Sequence, residues 1–308
     1  MRSLHRARPH PRLSLRDTPL PELNVGLNVS IAGKIYLAVD RALERECTCM
    51  QIFSRSPRRF RAPPLLDTDA AKFRRRRREA KLAPLVVHIP YLINIASPDD
   101  AFWAECLDAY VEDLRRADAL RAEYFVTHLG SPKGEGVDFG LGRVAEAFGR
   151  ILETYRPRCR ILLENKAGGT IGRHWEHLGH IMEATRGGDA LGVCLDTAHA
   201  LASGYDVAHA KGLDEMLGTM DDLFGLDRLC LVHANDSKAE LGSGLDRHEH
   251  IGRGAIGRAG FRTILSEKRL WHLPFVLETP TTGAEDDLAN IRTLRRLARE
   301  ANRAKRGR

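Results

Sequence analysis

The chain has 308 residues, 43% hydrophobic and 29% charged, with six cysteines and a formal net charge of +7. That composition fits one large soluble α/β domain with a substantial core, and no apolar run approaches the roughly 20 residues that span a bilayer, which excludes a helical membrane protein. The cysteines, at 47, 49, 106, 159, 194 and 230, form no C-x-x-C pair, which excludes zinc ribbons and thioredoxin-type redox sites and points to a reducing cytoplasm.

In chain order, residues 1–23 are rich in arginine and proline and lack the apolar core of a secretory signal, so a disordered basic extension is expected there. Residues 24–300 are expected to form one catalytic domain, and 301–308 a basic C-terminal tail. Residues 1–25 carry +3 and residues 295–308 carry +6, leaving −2 for everything between them. The basicity therefore sits mostly in the ends, and net charge alone does not establish a nucleic-acid partner.

Short apolar, β-branched runs bounded by turn residues predict strands at 24–30, 49–53, 84–90, 123–131, 159–165, 190–199, 229–236 and 274–280. Stretches of helical period separate them, such as "IYLAVDRALERE" and "FWAECLDAYVEDLRRADAL", the second placing Phe102, Cys106, Ala109 and Leu114 near one face. Strands alternating with helices imply parallel pairing, because each crossover passes through a helix. Eight such repeats predict a single (β/α)8 TIM barrel, and the missing G-x-G-x-x-G after the first strand weakens a dinucleotide-binding reading.

Polar residues then stand out where the predicted strands end. His88 ends the third, His128 the fourth, Glu164 the fifth, and Asp196 with His199 the sixth. His233 lies late in the seventh and Glu278 late in the eighth, and "LDRHEHIGRGAIG" adds Asp246 and His248 as D-x-H. In "GVCLDTAHALASGYD" alone, Asp196 and His199 fit a satisfied hydrogen-bond pair as well as a metal site. Nine such residues converging on one barrel rim would repel or stay unsatisfied without cations, which favours metal.

Imidazole with carboxylate and no thiolate suits zinc or manganese better than magnesium. Zinc takes three or four protein ligands, so nine ligands suit about three ions if one carboxylate bridges. Ions clustered about 3.5–4 Å apart bind phosphate esters and activate water, which points to phosphodiester hydrolysis. His174, His177 and His180, on one helical face, have no neighbouring carboxylate-bearing strand end and are read as non-ligands, and His250 as an outer neighbour of the site. The run "RRRRR" at 74–78 reads as a solvated helix face.

The motifs "HIPYLINIASP", "LLENKAGG", "GVCLDTAHALASGYD" and "HANDSKAELGSGLDRHEHIGRGAIG", in this order, resemble the endonuclease IV family of apurinic/apyrimidinic endonucleases over about residues 24–300. The resemblance implies three zinc ions per chain, with manganese in part of the site. His88, His128 and Glu164 would hold the first, and Glu164 would bridge to a second bound also by Asp196, His233 and Glu278. His199, Asp246 and His248 would hold the third. It further implies cleavage of duplex DNA 5′ to an abasic site, leaving a 3′-hydroxyl and a 5′-deoxyribose phosphate, trimming of blocked 3′ ends, and in-line attack without a covalent intermediate. Tyr91, Leu92 and Arg58 would contact DNA, as would Arg59, in a monomeric protein acting on DNA in the bacterial-type cytoplasm and nucleoid. Asn28, Lys166, Ala198 and Arg59 depart from the family pattern without removing a ligand. A sugar isomerase or epimerase on a xylose-isomerase-like barrel shares the quartet Glu164, Asp196, His233 and Glu278, but does not need the other five ligands. A damage-binding protein without activity would not need the full set either.

Overall fold

The computed structural model describes residues 22–306; residues 1–21 of the expected extension and 307–308 of the expected tail lie outside the described residues. Eight parallel strands form the barrel: β1 (Val25–Leu27), β2 (Met50–Phe53), β3 (Leu85–His88), β4 (Tyr124–Thr127), β5 (Arg160–Glu164), β6 (Leu191–Asp196), β7 (Leu229–His233) and β10 (Phe275–Leu277). A two-stranded antiparallel ribbon, β8 (Asp236–Ser237) with β9 (His248–Glu249), projects after β7. The barrel order is β1-β10-β7-β6-β5-β4-β3-β2, and a single parallel bridge from Asn28 to Gln51 links β1 to β2. Gly26 permits that approach, since a Cβ there would lie 2.2 Å from the Cys49 carbonyl oxygen.

Helices follow the strands: α1 (Leu37–Glu44), α2 (Asp67–Glu79), α3 (Asp100–Leu120), α4 (Val137–Thr154), α5 (Trp175–Ala184), α6 (Thr197–Ser203), α7 (Ala210–Phe224), α8 (Gly257–Ser266) and α9 (Ala284–Arg306). The expected single TIM barrel is therefore present. Helix α9 runs through Arg306, so the basic segment from residue 301 begins as helix. Asp99 starts α3 by accepting the Phe102 N–H at 2.9 Å, a carboxylate cap on an otherwise free donor. The helices pack their apolar faces on the barrel; Trp103, Tyr110, Phe125, Phe148 and Phe261 are fully or almost fully buried there. Inside the barrel, Cys49, Val86, Val126, Leu162, Cys194, Cys230 and Val276 fill the lumen below the site. Cys194 and Cys230 are thus small core residues, as expected, and all six thiols are free and buried.

The strands are shorter than the sequence predicts, and one boundary moves a candidate ligand. Strand β6 ends at Asp196, and His199 lies in the first turn of α6. The reason is local: the Asp196 carboxylate accepts the His199 N–H at 2.8 Å and starts the helix. The D-x-x-H spacing is a helix cap as well as a pair of candidate ligands.

Candidate metal centre

All nine residues expected to ligate metal gather at the C-terminal ends of the strands. His88, Glu164, Asp196 and His233 are the last residues of β3, β5, β6 and β7; His128 and Glu278 directly follow β4 and β10. Eight of them sort into three sets whose ligand atoms lie within 4.8 Å of one another: His88, His128 and Glu164; Glu164, Asp196, His233 and Glu278; Asp196, His199 and His248. Asp246 joins the third set, with Oδ2 3.3 Å from His199 Nε2 and Oδ1 3.4 Å from His248 Nε2.

Glu164, fully buried, stands between two sets. Its Oε2 faces His88 Nε2 at 3.3 Å and His128 Nδ1 at 3.6 Å, and its Oε1 faces His233 Nδ1 at 2.9 Å. Burial would raise this carboxyl, but the surrounding His233, His128 and His88 hold it well below the usual carboxylate range. Burial lowers His128 to about 4. Burial also opposes charge on His199, but Asp196, Asp246 and Glu164 outweigh it and raise that ring to about 10.

The imidazoles are oriented before any ligand arrives. His88 donates from Nδ1 to the Ile89 carbonyl at 2.8 Å, His199 to the Asn165 carbonyl at 2.8 Å, and His248 to the Glu278 carbonyl at 3.1 Å. Each of these bonds leaves Nε2 turned to the cluster. His233 is held the other way round, donating from Nε2 to Gln51 Oε1 at 2.9 Å and turning Nδ1 inward. The Nε2 atoms of His199 and His248 are buried without a hydrogen-bond partner. Buried imidazole nitrogens rarely stay unsatisfied, and ring nitrogens aimed with carboxylates at a common point fit a divalent cation that takes the place of their protons.

Sequence reasoning missed the groups that hold the candidate ligands in place. Gln51 Nε2 donates to Glu278 Oε1 at 2.6 Å while its carbonyl holds His233. Asn235 donates from Nδ2 to Asp196 Oδ2 at 2.6 Å and accepts the Glu278 N–H at 2.8 Å. Asn165 accepts the Asp196 N–H at 2.7 Å. The Asp236 carboxylate collects the N–H groups of Ser237, Gly252, Gly254 and Ile256, tying down both ends of the loop that carries Asp246 and His248. A Cβ at Gly254 would lie 2.3 Å from the Ser237 carbonyl oxygen, so that closure needs glycine. The available signal was a polar residue inside or beside an apolar strand, as in "CMQIF" and "HANDS".

The remaining candidates lie near this rim. Tyr91 is 65% and Leu92 42% exposed, and the Tyr91 ring lies 6.4 Å from His88 and 6.3 Å from His128, centroid to centroid. Arg58 and Arg59 are exposed on the loop after β2. That loop is pinned from below by Arg55, which pairs both ways with buried Asp113 at 2.7 Å, and by Arg116, which donates to the Ser54 and Pro63 carbonyls. Among the departures, Asn28 sits at the end of β1 with Oδ1 unpartnered, Lys166 donates to the Gly130 carbonyl at 3.0 Å, and Ala198 is buried in α6. His177 accepts the Gly172 N–H, and His250 bonds Asn290. None of His174, His177, His180 and His250 belongs to a metal-suited cluster among the described residues.

The family model described as a xylose isomerase-like TIM barrel matches residues 39–301. A probable endonuclease 4 of Methanosphaerula palustris is 44% identical over 281 residues, covering 90% of this chain and 98% of that one. A second, of Methanoculleus marisnigri, is 43% identical over 277 residues, covering 89% and 98%. The chain belongs to the endonuclease 4 family. The crystal structure of endonuclease IV from Thermus thermophilus superposes with a TM-score of 0.80 at 36% identity, covering 90% of this chain and 99% of that one. The expected apurinic/apyrimidinic endonuclease family and hydrolase class are thereby borne out. A D-tagatose 3-epimerase-like protein superposes with a TM-score of 0.69 at 20% identity, which shows a shared barrel and no more.

Proposed function

We propose that the chain is a zinc-dependent DNA-repair endonuclease. It hydrolyses the phosphodiester 5′ to abasic sites in duplex DNA, leaving a 3′-hydroxyl and a 5′-deoxyribose phosphate, and trims blocked 3′ ends. The observation that carries this reading is the set of nine ligand-type residues, from every barrel strand but the first two and from the loop after β7, gathered in three adjoining sets, two of which share Glu164. When bound, clustered divalent ions supply Lewis-acid activation of water and stabilise charge on the departing oxygen.

The chain's own residues do the rest. His88, His128 and Glu164 would hold one ion; Glu164, Asp196, His233 and Glu278 a second; and His199, Asp246 and His248 a third. Asp196 also lies 3.6 Å from His248 Nε2, so its carboxylate borders the third set too. Glu164 keeps the first two sets together, its oxygens facing opposite ways. Asp246 and His128 are the more exposed members and leave the cluster open on the solvent side, where a phosphate enters. Tyr91 and Leu92 stand beside that opening and take the place of lost stacking in bent DNA. An abasic nucleotide costs less to turn out of the helix than a normal one, which favours the lesion. Six free, buried thiols suit a reducing cytoplasm, and among the described residues no helix is long and apolar enough to cross a membrane.

The barrel is shared with sugar epimerases, so the test offers the protein both substrates. Labelled abasic duplex should be incised, with loss of activity on chelation and recovery on zinc addition. Ketoses should remain unconverted; ketose conversion without incision would reverse the assignment.

A further inference from the structure

The five arginines of α2 have no part in the centre above; Arg76 pairs with Asp40, and the other four line a cavity at the other end of the barrel. A hollow of about 620 Å3 is bounded by Arg74, Arg75, Arg77, Arg78, Lys81 and Arg121, with Ala71, Leu82 and Ala83, and no carboxylate lines it. It opens beside the N-terminal ends of β3 and β4, whereas His88 and His128 lie at their C-terminal ends. A four-residue strand at about 3.3 Å per residue spans about 13 Å, so the two sites face opposite ways.

Helix-end electrostatics account for part of this charge, because cations are favoured at a helix C-terminus. Some of the six are also committed. Arg77 pairs with Glu123 at 2.8 Å and donates to the Arg121 carbonyl at 3.0 Å, joining the ends of α2 and α3. Arg74 donates to the Ala119 carbonyl, and Arg75 approaches Glu79 only at 3.9 Å on an exposed face. Arg78, Lys81 and Arg121 have no ion-pair partner among the described residues. The region between residues 25 and 295 carries a net −2, so this is a local concentration of positive charge on a slightly acidic body.

Backbone geometry makes two of these cations harder to explain as helix ends. Lys81 and Arg121 sit in the left-handed region, at φ 55° and 56°, just past α2 and α3. Glycine is the usual residue at such a position, because it has no Cβ to clash. The chain instead holds two long cations there, both on the cavity wall.

We propose that this cavity is a second, non-catalytic anion site that takes a compact oligophosphate, either free or as the phosphate chain of a nucleotide. Converging guanidinium and ammonium groups supply the several donors that adjacent phosphates need. The cavity is a hollow of about 620 Å3, and its wall on α2 from Arg74 to Arg78 covers about 7.5 Å of helix axis at 1.5 Å per residue. That shape suits a short phosphate chain entering it better than a duplex lying across it.

The test is equilibrium dialysis of labelled pyrophosphate and of labelled adenosine diphosphate against the zinc-loaded protein, with zinc content checked afterwards. The double variant Lys81→Gly with Arg121→Gly removes two cations and relieves two left-handed side chains, so its fold and abasic-site incision should persist. Wild type should bind, and the variant should bind at least about tenfold more weakly, the order expected for a lost charge-assisted bond. Tighter binding of the diphosphate nucleotide than of pyrophosphate would assign the source as a nucleotide, and equal binding a free oligophosphate. No binding by wild type, or binding unchanged in the variant, would overturn the proposal. So would a variant whose only loss is affinity for undamaged duplex.

Discussion

Gln51 Oε1 and His233 Nε2 lie 2.9 Å apart, and this contact decides which nitrogen of His233 faces the cluster of candidate ligands. The same amide donates to Glu278 at 2.6 Å, so one uncharged side chain on β2 orients two expected ligands of the same ion. Removing such an outer partner costs about 10–100-fold in metal affinity. Gln51→Leu should therefore lose metal by about that factor in a competitive chelator titration, while its circular dichroism stays that of the folded barrel. Unchanged affinity would show that His233 needs no such orientation.

The pH dependence of metal loading follows from the same cluster. Burial disfavours charge on His199, but Asp196, Asp246 and Glu164 prevail and raise it to about 10; burial lowers His128 to about 4. Near neutral pH the metal-stripped protein thus holds His199 as the doubly protonated cation and His128 as the neutral ring. A divalent ion bound through His199 would have to displace the extra proton, so loading should release acid and affinity should fall as the solution is acidified. The sign for stability without metal is opposite. A raised histidine contributes stability that is fully present below the free imidazole value of 6.5 and lost as pH rises through about 10. A pH-stat titration with zinc should show acid release, and zinc uptake without it would contradict the assigned protonation.

Recognition is assigned to residues that touch no proposed ion. Tyr91→Ala combined with Leu92→Ala should weaken binding of abasic duplex by roughly 1–3 kcal/mol, the order of a lost stacking contact. Metal content, and hydrolysis of a small activated phosphodiester that needs no bending, should hardly change. Equal losses on both substrates at normal metal content would mean that the pair supports the site itself.

The convergence of the candidate ligands was legible in the sequence because most of them interrupt an apolar run where a parallel strand must end, and a barrel brings those ends together. His199 was placed one element early: an Asp that can end a strand can equally cap a helix, and only the 2.8 Å bond to the His199 N–H shows the second role. Gln51, Asn235 and Asp236 were not read as site residues because their roles rest on distant pairings. Gln51 and Glu278 are 227 positions apart, and Asn235 and Glu278 are 43 apart. The anchoring of the loop with Arg58 and Arg59 by Asp113 was hidden for the same reason, since nothing local in α3 marks one of its acids as buried. The arginine run shows the reverse: it was plain in the sequence, but its cavity depends on Lys81 and Arg121 from two helix ends.

Metal-dependent hydrolysis at an abasic site is tested most directly by mapping the product. A 5′-labelled duplex with one abasic site is incubated with the zinc-loaded protein and with the variant Glu164→Gln, and the labelled fragment is sized and tested for extension by a polymerase. Losing the charge of Glu164, which keeps two ion sets together, should slow turnover by orders of magnitude while DNA binding largely remains. Wild type should form one fragment ending immediately 5′ to the lesion with an extendable 3′-hydroxyl, and the variant almost none. A fragment with a blocked 3′ end, or equal incision by a folded and metal-loaded variant, would contradict that assignment.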